Sequence, residues 1–226
     1  MSLPTKLGIG TLALGSAVGA GYTGISYFSK EDKKEELNNT LQQGTAISKI
    51  IEEDYEYILL DTKKGTSNND KAYWNTNWNN YKTDSLRLEK DIFSLDNWTK
   101  TSTPDLTEAL KEKCETLSRT KIPSNKDPLY GKVTKYCGRG VTFEEQAKKD
   151  RLTILDTADS NSGSTVWAAK HTNRAQIRDS LTKLSIENEP SSADIIRKGC
   201  ETAKSKNKQV PDYPNVYAAY KAVCTQ

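Results

Sequence analysis

Four cysteines limit this chain most tightly, because they come as two pairs with nearly equal spacing. Cys114 and Cys137 are 23 residues apart, Cys200 and Cys224 are 24 apart. Each pair sits in a matching context. Lys113-Cys114-Glu115-Thr116 aligns with Gly199-Cys200-Glu201-Thr202, preceded by Leu110-Lys111 and Ile196-Arg197. A Lys/Ser/Asn-rich linker with a proline follows, then an aromatic stretch that ends in the second cysteine. That stretch reads Leu129-Tyr130 to Tyr136-Cys137 in one half and Val216-Tyr217 to Val223-Cys224 in the other.

The match extends upstream. Leu59-Leu60-Asp61-Thr62 recurs as Ile154-Leu155-Asp156-Thr157, and Asp84-Ser85-Leu86 as Asp179-Ser180-Leu181. Between them lies a tryptophan: Trp74 or Trp78 in one half, Trp167 in the other. The first half holds about nine extra residues near Leu88 to Thr99. Short matches that keep one order with one length change point to an internal duplication. The expected layout is an N-terminal segment over 1–29, a charged helical spacer over 30–57, and helical repeats over 58–140 and 141–226.

Within a repeat the helical period dominates. Leu106, Leu110, Cys114 and Leu117 form one stripe after Thr103-Pro104-Asp105, a helix start. Ser192 opens the counterpart, with Ile195 or Ile196, Cys200 and Ala203 on its stripe. Asp127-Pro128 and Pro214 open the helices that carry the second cysteines. Thr142 with Glu144 and Glu145 caps a helix leading toward Leu155. In the spacer, Ile47, Ile50, Ile51 and Tyr55 line one side of a helix interrupted near Gly44. Alternating, valine-rich strands are absent, so the fold class is all-α. The Leu-Asp-Thr stretches stay open between helix ends and short extended pieces.

One cysteine on an apolar stripe and its partner closing the next helix predict disulfides Cys114–Cys137 and Cys200–Cys224. Four cysteines allow three pairings, and four buried thiols are the alternative. Zinc would want closely spaced pairs such as C-x2-C, and none occurs. Disulfides would place the body outside the cytoplasm.

Composition removes other classes. Thirty-three Lys and Arg against thirty Asp and Glu leave a net charge of +3, without the basic excess of a nucleic-acid binder. A mean hydropathy of −0.76 excludes a polytopic membrane protein. Leu7 to Phe28 has no charged residue and six of the thirteen glycines. It is just long enough to cross a bilayer core of about 30 Å, as a signal-anchor helix. A cleaved signal peptide and a Gly/Ala-rich segment packed in the body are the other readings. The flanking positive charges mildly oppose an exported body, and the cysteines favour one.

Chemistry-bearing residues are sparse. His171 is the only histidine, so a Ser-His-Asp system is not expected, and no phosphate loop occurs. No catalytic, cofactor-binding or metal residues are assigned. The one compositional oddity is Trp74, Trp78 and Tyr81 on one helix face, with Tyr73 and four asparagines interleaved. Such a face is either core or a recognition patch for a host protein or glycan, where ring stacking meets amide hydrogen bonds.

Taken together, the Met-Ser-Leu-Pro-Thr-Lys start before a Gly/Ala-rich segment, the Lys/Asn/Thr-rich body, Leu-Leu-Asp-Thr before a Trp, and one cysteine pair per repeat form a pattern. It resembles the paralogous families of uncharacterised, presumed surface-exposed proteins of haemotropic mycoplasmas. The resemblance implies a membrane-anchored protein of unknown biochemical role, in antigenic variation or host-cell contact, and the first expectation is a non-enzymatic, single-pass surface protein with its body outside the cell. Two other classes compete: an enzyme of hydrolase type with a site between the repeats, and a cytosol-facing helical scaffold with free thiols.

Overall fold

A computed structural model describes residues 44–63, 70–100, 104–161 and 163–226. The expected membrane-anchor helix and the spacer up to residue 43 lie outside the described residues. Among those described, no helix is long and apolar enough to cross a membrane.

The chain is mostly helical, with nine α-helices among the described residues. In the first half these are α1 (Ile47–Asp54), α2 (Lys71–Ser85), α3 (Thr107–Ser118) and α4 (Pro128–Cys137). The second half holds α5 (Phe143–Lys149), α6 (Thr165–Thr172), α7 (Arg178–Lys183), α8 (Ala193–Ala203) and α9 (Tyr213–Cys224). Local chemistry explains several starts. Asp127 accepts from Leu129 N at 2.8 Å with Pro128 next in line, which opens α4. Thr142 and Glu145 exchange hydrogen bonds in a full capping box at the head of α5. The α3 start falls at Thr107, four residues after Thr103, where the Asp105 carboxylate accepts from the Thr107 amide at 2.9 Å.

The all-α expectation needs one correction. Among the described residues four short strands form two antiparallel ribbons: β1 (Thr45–Ala46) with β3 (Lys121–Ile122), and β2 (Tyr57–Leu59) with β4 (Gly138–Gly140). Strands of two or three residues have no alternation to read in a sequence. They form because the tertiary fold brings two backbones together.

The interior divides into two apolar clusters. One gathers Ile47, Ile50, Ile51, Trp74, Tyr81, Leu110 and Tyr136, the other Phe143, Trp167, Leu181, Ile196, Tyr217 and Tyr220. A disulfide closes each: Cys114–Cys137 and Cys200–Cys224, with Cα atoms 5.5 and 5.6 Å apart. No cysteine is left free.

Helix α1 was expected within a spacer, yet it belongs to the first cluster. Its three isoleucines are buried there, each adding about 1.5–3 kcal/mol of apolar burial. Its counterpart is α5. The two helices begin alike, Ile47 N donating to Thr120 O at 3.0 Å and Phe143 N to Lys206 O at 2.8 Å. They also end alike, at residues of positive φ: Tyr55 at 51° and Arg151 at 60°.

Other bonds recur at matched positions. Leu60 N donates to Cys137 O and Leu155 N to Cys224 O, both at 2.9 Å. The Trp74 indole donates to Asp61 O at 2.7 Å, the Trp167 indole to Asp156 O at 3.0 Å. Trp74 is therefore the counterpart of Trp167, with Trp78 one turn beyond. Buried cations also match: Lys111 pairs with Glu108 at 2.6 Å, and Arg197 with Asp194 at 2.7 Å. The Asp-Ser-Leu match fails in space. Leu181 is fully buried, whereas Leu86 is 43% exposed and Ser85 takes the inward position.

Candidate functional site

Trp74, Trp78 and Tyr81 do share one face of α2, and that face points inward. They are 1%, 7% and 0% exposed, so no ring face is open to a glycan or a partner. The cover comes from the extra residues of the first half. Phe93 lies 5.5 Å from the Tyr81 ring, and Trp98 packs edge-on against Tyr81 at 6.1 Å and Trp78 at 6.4 Å. Polar bonds fix this cover. The Tyr81 hydroxyl donates to Asp91, and it accepts from Phe93 N at 2.9 Å. The same Asp91 carboxylate accepts from Leu95 N at 2.8 Å. Burial, then the Asp91 carboxylate, pushes the Tyr81 phenol far above its ordinary value. The sequence showed the extra residues but not where they pack.

The four cysteines are also interior, none more than 2% exposed. They act as staples between α3 and α4 and between α8 and α9. They offer no thiol for chemistry.

A polar cluster that the sequence did not announce lies where the halves meet. Strand β4 pairs with β2, and the chain then runs on through Val141 N to Glu56 O at 3.1 Å. From the other side Lys208 N donates to Val141 O at 2.9 Å, and Thr142 bridges Asn207. The stretch from Gly138 to Thr142 thus bonds to both halves, β4 to β2 and the two residues after it to Lys208 and Asn207. Arg139 from β4 forks onto Glu145 of α5, Nη1 to Oε2 at 2.8 Å and Nη2 to Oε1 at 2.7 Å, and it lies under the Tyr73 ring at 5.2 Å. Burial would raise the Glu145 carboxyl. The Arg139 fork and the Thr142 amide outweigh it and hold the group down to about 2. Lys208 adds a pair to Glu56 at 2.8 Å and donates to Tyr55 O at 3.0 Å. The two terminal nitrogens of Arg139 and both Glu145 oxygens are paired, while Arg139 Nε is buried without a partner; the paired groups make the junction a brace.

An open cleft lies elsewhere, along α6. Thr165, Val166, Ala169, Lys170, Asn173 and Ile177 line a cavity of about 540 Å³. It shares Val166 with a smaller cavity of about 240 Å³ bordered by Ile154, Asp156 and Gln226. Lys170 stands half-buried at the cleft, its Nζ donating to Ala222 O at 2.8 Å and Thr225 O at 3.2 Å. These carbonyls end α9, where a cation meets the negative end of the helix dipole. Burial lowers the pKa of the Lys170 ammonium.

His171, one residue on, donates from Nε2 to Pro190 O at 2.9 Å. That bond ties α6 to the loop before α8 and gives the ring a structural partner. Among the described residues no group of three or more His, Cys, Asp or Glu is placed to hold a metal. No family model, curated protein or solved structure matches the chain.

Proposed function

We propose that this chain is a non-enzymatic, N-terminally membrane-anchored protein whose stapled helical body stands outside the cytoplasm, in host-cell contact or as a variable antigen. The observation that carries the reading is the pairing of all four cysteines, each within its own half and buried. Cytoplasmic thiol pools keep such cysteines reduced, whereas exported proteins use them as staples. A small, modestly apolar helical unit gains most from such a staple, because its core alone is marginal. The laddered junction supports the same reading, since a braced pair of units presents one fixed outer surface. With Trp74, Trp78 and Tyr81 inside the core, the contact surface for a host protein or glycan lies on other residues.

The test is a non-reducing mass map of the protein recovered from its own cells, together with surface biotinylation of intact cells. Cys114–Cys137 and Cys200–Cys224 peptides with biotin on exposed lysines such as Lys132 or Lys198 are the expected result. Four alkylatable thiols, or a body that labels only after lysis, overturn the reading.

A further inference from the structure

The two halves solve one structural problem with different side chains, and the difference points to a ligand. In the first half Asn77 of α2 reaches the end of α4, its Nδ2 donating to Tyr136 O at 3.2 Å and Gly138 O at 2.9 Å. Lys170 holds the same place on α6 and serves the end of α9. The matched indole bonds of Trp74 and Trp167 fix this equivalence, since Asn77 and Lys170 each lie three residues further on. A neutral amide is therefore enough for the capping task. The positive charge at Lys170 is not required by it.

That charge is half-buried, and among the described residues no carboxylate forms an ion pair with it. Two of its three N–H donors are used, which leaves one donor and a net charge for a group from outside. The surroundings differ between halves in the same sense. Val166 and Ala169 occupy the places of Tyr73 and Thr76, so the α6 face is the more aliphatic one around a single cation. Its volume lies within the roughly 300–1,000 Å³ of small-molecule sites.

We infer that the α6 cleft binds a carboxylate with a hydrocarbon chain, a fatty acid or a molecule like it. Lys170 meets the head group, and Val166, Ala169 and Ile177 take the chain. The inference holds whether or not the body is displayed outside the cell, and its test uses the purified full chain with both disulfides intact.

The probes are dodecanoate, dodecanol and dodecyltrimethylammonium, each titrated below its micelle concentration by calorimetry or by displacement of a fluorescent fatty acid. Dodecanoate should bind best, about tenfold or more above the other two, as expected for a hydrogen bond to a charged group. Each methylene added from octanoate to dodecanoate should tighten binding roughly three- to fourfold. Lys170→Asn copies the arrangement of Asn77, so it keeps the cap and removes the charge. It should weaken dodecanoate about tenfold or more, with a thermal midpoint within a few degrees of the parent. Should that variant unfold, Ala169→Phe keeps the question open to test, because it fills the cleft from an exposed position and should abolish binding. Equal binding of dodecanol, an unchanged affinity in Lys170→Asn, or preference for an acidic peptide over the fatty carboxylate overturns the inference. So does the absence of any dodecanoate binding.

Discussion

Replacing Glu145 by Gln tests the junction, because one charge is removed and the shape is kept. Glu145 accepts both arms of Arg139, and also the Thr142 amide at 2.9 Å and the Thr142 hydroxyl at 3.0 Å. Its side chain is 27% exposed, so solvent screens it only in part. Holding this carboxyl at about 2, against an ordinary 4.5, corresponds to about 3 kcal/mol of folding free energy at neutral pH. The sign follows from the direction. A carboxyl lowered by folding stabilises fully above its unfolded value near 4.5, and that contribution fades as pH falls through about 2. Glu145→Gln should therefore lose about 2–3 kcal/mol at pH 7, the retained amide oxygen still accepting one bond. The assay is urea unfolding of both proteins at several pH values from 7 down to 2. Their curves should close up across the window from about 4.5 to 2. A gap that stays constant with pH, or one below about 0.5 kcal/mol at pH 7, would show that Arg139 and Glu145 do not brace the halves.

Three further outcomes can be read from unfolding curves. Cys200→Ala with Cys224→Ala should lower stability by roughly 3 kcal/mol, the value for closing a loop of about 24 residues. The Cys114→Ala, Cys137→Ala pair should cost a similar amount. Trp74→Phe and Trp167→Phe should each lose about 1 kcal/mol for the indole bond to the Asp61 or Asp156 carbonyl, and unequal losses would speak against matched roles. Gly199→Ala should cost about 1–3 kcal/mol, because a β-carbon there would overlap the buried Ile186 side chain.

Much of the scaffold is legible from residue spacing because its causes are local. The stripe of Leu110 and Cys114 and that of Ile196 and Cys200 bury as the helical period requires. The caps at Asp127 and Thr142 act within three residues of themselves. The disulfides follow from two neighbouring helices joined by a short linker. What stayed hidden has distant causes. The three isoleucines of α1 announced a buried face without naming its partner, and Thr120 supplies the backbone bond that seats the helix.

The candidate site divides along the same line. The sequence placed Trp74, Trp78 and Tyr81 on one helix face but could not say what covers it. Phe93 and Trp98 fold back over those rings, so the patch became core. Arg139 stands between two glycines, with no local pattern to name its partner. Its fork to Glu145 exists only because β4 is paired with β2 while the next residues, Val141 and Thr142, are held by Lys208 and Asn207. The bonds of Lys170 reach 52 and 55 residues along the chain to Ala222 and Thr225, a separation at which helical periodicity carries no information. The sequence by itself determined that most of the chain is helical, which stripes of α3 and α8 are apolar, and which of the three cysteine pairings the spacing favours. Those are consequences of periodicity and short chain closure. Only the tertiary structure decided which apolar face covers which, and which charges find partners, because these depend on contacts between residues that the chain order keeps apart.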